Sequence, residues 1–146
     1  MRFMMIVKAN AASEAGTMPS KQLIDAMGEF NEEMMRAGVM LAGEGLHPSS
    51  QGARVRFSGG TKTVIDGPFA ETKELIGGFW LMQVESKEEA IKWALRCPAP
   101  HGENEESELE LRRVFEAADF PEDVLSPESA ERERMMREKL ERKAKG

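Results

Sequence analysis

Hydrophobic and polar positions along this chain divide it into short strands and amphipathic helices. From Arg2 to Lys8, Phe3, Met5 and Val7 point one way and Met4 and Ile6 the other, so a strand here is apolar on both faces. "NAASEAGTMPS" follows as a loop of small residues. A helix is predicted from about Ser20 to Ala37, with Leu23, Met27, Phe30 and Met34 on one face. Gly38 stands where a left-handed C-terminal residue is wanted. "VMLAGEGL" reads as a second strand, ending in the turn "HPSS". "ARVRFS" and "TKTVID" flank Gly59-Gly60 and predict a β-hairpin. "GGFWLMQVES" is another strand with two apolar faces, Phe79 and Leu81 against Trp80, Met82 and Val84. Ser86 and Glu89 form the capping pattern of a helix that runs to Cys97 and stops at Pro98. "SELELRRVF" is the last core strand.

The predicted order is β-α-β-β-β-β-α-β. Without its hairpin this is the ferredoxin-like βαβ-βαβ pattern, an α+β fold with both helices on one sheet face. Strands that are apolar on both sides then leave a second apolar face uncovered. A second copy stacked sheet to sheet would cover it, so the pattern predicts an isologous homodimer. The last stretch, "SPESAERERMMREKLERKAKG", has a different composition. Ser126 and Pro127 suit the N-cap and first turn of a helix, and Glu133–Arg137, Glu138–Arg142 and Glu141–Lys145 are spaced as i,i+4 pairs. Its apolar stripe is thin: Met135, Met136 and Leu140. It reads either as a solvated helix or as an arm that holds a partner. The chain is thus expected to comprise an α+β domain over residues 1–118 and a charged helical extension over 119–146.

Composition narrows the class. A chain of 146 residues with 40% hydrophobic content can build one core. No apolar run is long enough to span a bilayer, and the run from Phe3 to Val7 is too short for a signal peptide, so a cytoplasmic, non-membrane protein is expected. The net charge is −6, with bases gathered only near the end among acids, which disfavours direct nucleic-acid binding. Cys97 is the single cysteine and is read as a small core hydrophobe. His47 and His101 show no metal spacing, and His101 lies in a polar loop and is read as solvated. With one cysteine and two distant histidines no metal is expected, and without a phosphate-cradling loop or nucleotide fingerprint no cofactor is expected and kinase or dehydrogenase roles are disfavoured.

"DGPFAETKE", Asp66 to Glu74, followed by "GGFWLMQVES" and "EEAIKWA", resembles the DGPF family of YCII-related proteins. "AGEGLHPSS" and "ELELRRVF" are similar to that family's flanking segments, and the resemblance runs from about Met1 to Phe115. It implies a dimeric α/β barrel. It also implies a family largely without assigned functions, often encoded beside or fused to extracytoplasmic-function sigma factors. More distant members of the fold are small-molecule isomerases, lyases or monooxygenases. The His–Asp pair that simpler YCII-related proteins place in a cleft is not carried over: the matching positions here are near Met27 and at Cys97.

The motif itself admits two readings. Asp66 before Gly67-Pro68 suits a turn that bonds its own backbone, with Phe69 plugging the core. A turn does not need the charges of Glu71, Lys73 and Glu74. In a cleft with apolar walls, a carboxylate would exchange protons near neutral pH, and Lys73 would hold an anionic oxygen. His47, whose side chain titrates near ~6.5 when unperturbed, is the companion acid–base group, with Glu44 placed to orient its ring. Arg54 shares a strand face with Arg56 and would clamp a carboxylate if it faced inward. Two function classes follow. One is a cofactor-independent enzyme of isomerase or lyase type, with Asp66 and His47 catalytic and Lys73, Glu71, Glu74, Glu44 and Arg54 binding a small anionic metabolite. The other is a non-catalytic dimeric module that binds a ligand or a regulatory protein, in the setting of sigma-factor regulation.

Overall fold

A computed structural model describes residues 1–146. Two compact units are present, Met1–Arg113 and Val114–Gly146. In the first, strands β1 (Arg2–Lys8), β2 (Met40–Gly45), β5 (Ile76–Gln83) and β6 (Leu109–Arg113) form an antiparallel sheet in the order β2-β5-β1-β6. Helices α2 (Lys21–Arg36) and α3 (Lys87–Arg96) supply the two crossovers. This is the ferredoxin-like α+β arrangement expected from the periodicity. β3 (Ala53–Ser58) and β4 (Thr61–Asp66) form a separate two-stranded sheet, the inserted hairpin. Its turn residues Gly59 and Gly60 have φ of 57° and 79°, the left-handed values that such a turn requires.

One face of the four-stranded sheet carries the core. Phe3 and Met5 of β1 pair with Met82 and Trp80 of β5, and Val84 follows them. Phe30 and Met34 of α2 and Ala90 and Trp93 of α3 close over these side chains. Phe30 stands nearly perpendicular to Trp80, ring centroids 5.7 Å apart, and 6.2 Å from Trp93. Trp80 gains its place from two neighbours. Its indole N–H donates to Asn31 Oδ1 at 2.8 Å, and Gly43 leaves the ring its space. A Cβ at Gly43 would lie 2.8 Å from the ring and 2.6 Å from the end of Met40.

Neither α2 nor α3 lies over the other sheet face. The same pairing sets Met4 beside Leu81 and Ile6 beside Phe79, with Glu44 at the β2 margin and Glu110 and Arg112 at the β6 margin. The four apolar side chains are only half-buried. The expected second apolar face therefore exists, and the helices of the first unit leave it open.

Local signals held at most ends. Ser20 caps α2, accepting from Leu23 N–H at 3.1 Å, and Gly38 takes a φ of 71°. Ser86 caps α3 by accepting from Glu89 N–H. The Glu89 carboxylate reaches one residue further back than a capping box requires, to Glu85 N–H at 2.7 Å. The first loop differs from expectation: Asn10 caps a short helix α1 (Ala11–Glu14), in which Asn10 and Ser13 bond each other's backbone. Small polar residues there close one helical turn because Asn and Ser side chains bond nearby backbone groups.

In the second unit Ser126 caps α4 (Pro127–Lys145), with Pro127 in its first turn. Of the three expected ion pairs, Glu133–Arg137 forms at 2.7 Å. Arg134 instead bonds Glu131 and Glu138, and Arg137 also reaches Glu116 at 2.8 Å. Phe115 and Phe120 stack within this unit, centroids 5.0 Å apart. No helix is long and apolar enough to cross a membrane.

Candidate functional site

The DGPF turn is built on a polar clamp. β4 delivers Asp66 opposite Ala53, and Gly67 N–H then donates to Gly52 C=O at 3.0 Å. Gly67 lies so close to the chain after β2 that a Cβ would fall 1.7 Å from the Ser49 carbonyl oxygen. No other residue fits without moving the backbone. The Gly67–Pro68 peptide is cis. Phe69 N–H donates to Ser49 Oγ at 3.0 Å. The Ser49 hydroxyl in turn donates to the Glu14 carboxylate at 2.5 Å, and Ser49 N–H donates to the same carboxylate at 3.1 Å. Bonds to an ionised acceptor are the stronger kind. Glu14 of α1 thus holds Ser49, and Ser49 holds the motif.

Phe69 is half-buried and lies outside the core cluster, contrary to the expected core plug. Its ring packs under the Arg54 guanidinium, 3.9 Å from the centroid. The turn sits at the hairpin root, outside the core that α2 and α3 close, so the ring has no core to enter. Beyond it, a 3-10 turn runs over Thr72–Glu74, closed by Glu74 N–H donating to the Glu71 carbonyl, and the Leu75 carbonyl accepts from Ala9 N–H at 2.9 Å, tying the loop to the end of β1. The glycines that follow allow close strand approach. A Cβ at Gly78 would lie 2.9 Å from the Glu44 carbonyl oxygen.

Asp66, His47, Glu44, Glu71, Lys73, Glu74 and Arg54 are all exposed in the single chain. No hydrogen bond or ion pair joins the side chains of His47, Asp66, Glu71, Lys73 and Glu74 to one another. The fold does gather some of them. His47 precedes Pro48-Ser49, Asp66 precedes Gly67, and Gly67 is pressed on Ser49, so both acid–base candidates flank one junction. Arg54 meets the motif through Phe69. Glu44 stands elsewhere, on the open sheet face beside Phe79, and makes no bond to His47. Glu14 and Ser49, which hold the motif in place, carried no sequence signal, because their bond joins residues 35 positions apart.

Two clefts lie away from this junction. One, of about 530 Å³, runs between α3 and β6 and is lined by Ile91, Leu95, Cys97, Leu109 and Leu111 among others. Burial pushes the Cys97 thiol up to about 12, and its S–H donates to the Pro98 carbonyl at 3.3 Å. The thiolate is the nucleophile, so this cysteine is inert at neutral pH. The other, of about 300 Å³, lies within the second unit between Glu116 and α4 and is lined by Glu133, Arg134, Arg137 and Glu138. His101 is not solvated as expected. It is half-buried, and its Nε2 lies 2.7 Å from the Lys8 carbonyl, a contact that needs the proton on Nε2. Ser107 accepts from His101 N–H, so the loop folds back onto β1. No group of three or more His, Cys, Asp or Glu side chains is placed to hold a metal ion.

A ferredoxin-like α+β sheet with a hairpin inserted ahead of a clamped DGPF turn defines the class of this chain. It belongs to the YCII-related domain family, whose model matches residues 1–117. An uncharacterized protein of Rhizobium meliloti (strain 1021) is 47% identical over 49 residues, covering 34% of this chain and 40% of that protein. The chain therefore spans less than half of that relative's length. Among solved structures, 5-chloro-2-hydroxyhydroquinone dehydrochlorinase (TftG) of Burkholderia phenoliruptrix AC1100, in complex with 2,5-dihydroxybenzoquinone, is similar at a TM-score of 0.40 and 15% identity. That match covers 83% of this chain and 100% of that one.

Proposed function

We propose that this chain is a homodimeric binding module for a small organic anion, with no chemistry of its own. The observation that carries this reading is the half-buried sheet face of Met4, Ile6, Phe79 and Leu81, which the first unit's helices leave open. Two such faces stacked as an isologous pair hide their apolar side chains and leave a hollow at the margin. Apolar walls take the ligand's body. Arg54, held flat over Phe69, offers its guanidinium N–H groups to a carboxylate, and Lys73 adds a second positive charge. Glu71 and Glu74 flank Lys73, so the ligand's anionic group is directed to Arg54 first.

The exposed position of Asp66 favours binding over acid–base catalysis, since a carboxylate must be shielded from water to exchange protons near neutral pH. One observation keeps the catalytic reading in play: His47 and Asp66 both flank the Gly67–Ser49 junction. Catalysis then requires the second copy to enclose that junction.

The test is a thermal-shift screen of organic acids against matched neutral amides. Binding at 100 times Kd stabilises the native state by ~2.7 kcal/mol. Stabilisation by acids alone, lost in Arg54→Ala with the fold retained, supports the reading. Equal response to acids and amides sinks the anion preference. Turnover of a stabilising compound that Asp66→Asn abolishes would establish the enzyme instead.

A further inference from the structure

The hairpin is the least explained part of the fold. Every residue of β3 and β4 is exposed. The pairing places Val55 opposite Val64 and Phe57 opposite Lys62, so Val55, Val64 and Phe57 share one face, at 51%, 68% and 71% exposure. An isolated two-stranded hairpin is marginal in water and normally leans on something. This one is not loose at its root. Gly67 is fixed on Gly52 and Ser49, and Arg54 is stacked on Phe69, so the arm leaves the domain in a set direction with its apolar face bare.

We infer that the β3–β4 hairpin is an arm that packs its Val55–Phe57–Val64 face on a second copy of this chain, completing the dimer contact begun by the open sheet. This rests on the dimer of the proposed function and adds a second contact to it. The first argument is area. Four strands about 4.8 Å apart and ~20 Å long give a footprint on the order of 400 Å². A stable interface buries roughly 800 Å² on each partner, so the sheet face alone falls short. The hairpin adds two strands with an apolar face. The second argument is charge. The contact face carries Lys62 opposite Phe57 near the turn and Asp66 at the root, so its charge near the tip is positive. A cationic tip fits a carboxylate on the partner copy. Lys62 shares the face of Phe57, and at the β2 edge Leu41 is exposed and Glu44 stands on the open sheet face. That edge is where the arm lands.

The test combines sedimentation of variants with photo-crosslinking from position 57. Phe57→Glu and Leu81→Glu are compared with the parent, with circular dichroism confirming the fold of each. A benzophenone amino acid at position 57 reports what the arm touches. Phe57 is exposed in the monomer, so its replacement leaves the subunit folded. The expected result is a dimer whose Kd rises about 100-fold or more in Phe57→Glu, as loss of this side chain from both copies of an isologous contact implies. An intersubunit crosslink mapping near Leu41 and Glu44 is expected with it. A dimer that Leu81→Glu breaks but Phe57→Glu leaves intact, with no intersubunit crosslink, overturns the arm and spares the sheet contact. Dissociation by Phe57→Glu alone keeps the arm and overturns the stacked sheets. A monomer at tens of micromolar overturns both.

Discussion

The four-stranded sheet and the hairpin are made of the same kind of sequence, alternating β-formers with glycine at the turns, yet they have opposite fates. In the sheet, Phe3, Met5, Trp80 and Met82 meet two helices and vanish from solvent. In the hairpin, Val55, Phe57 and Val64 alternate just as regularly and bury nothing. Between them sits the DGPF turn, polar and exposed at its tip but jammed at its base by Gly67 and Ser49. Alternation therefore reports a strand. Burial depends on what the rest of the chain, or another chain, brings to its face.

That contrast can be tested by substitution. The largest loss is expected at the junction: Gly67→Ala forces a methyl to 1.7 Å from a backbone oxygen, which no side-chain rotation relieves. Displacing that backbone should cost ~3 kcal/mol or more in urea unfolding. A smaller loss would mean that the turn shifts freely against Ser49. Met82→Ala, in the fully buried centre, should cost about 2–5 kcal/mol by lost transfer and the cavity left behind. Glu14→Ala removes the acceptor of two Ser49 bonds and should cost about 1–3 kcal/mol. If Glu14→Ala were neutral, the polar clamp would be ornamental and the motif would be held by packing alone.

Cys97 gives a pH test on the core side of the comparison. The thiol ionises near 9 when unperturbed and at about 12 in the fold. Its protonated form is the one the native state favours, so its contribution is fully present below pH 9 and is lost as pH rises toward 12. Parent and Cys97→Ala should therefore differ by a constant amount from pH 6 to 9 and converge above it. Labelling by a thiol reagent at pH 7 should be slow until denaturant is added. The smallest effect is expected on the hairpin: Phe57→Ala in dilute protein should change stability by no more than ~0.5 kcal/mol. A loss above 1 kcal/mol would mean that the arm packs on its own subunit after all.

Much of this architecture was legible in the chain. Ser20, Gly38, Ser86 and Gly59-Gly60 act within a few residues, so their signals announced helix ends and the hairpin turn correctly. The two-sided apolar strands announced a sheet with an open second face. The candidate site was legible only in part. "DGPFAETKE" marked the family and the turn, but the bond from Ser49 to the Glu14 carboxylate spans distant segments and no spacing betrays it. His101 reads as solvated in the sequence because its partner, the Lys8 carbonyl, is backbone 93 positions away. Phe69 looked like a core residue because an aromatic in a short loop usually finds one; here it found Arg54.

The sequence by itself determined the strands, the two packing helices, their caps and the family, because periodicity and capping act over a few residues along the chain. Tertiary structure alone decided that Gly67 must abut Ser49, that Glu14 clamps the motif, and that both hairpin faces stay exposed. Those outcomes depend on which distant segments meet, and a contact across dozens of residues leaves no local pattern to read.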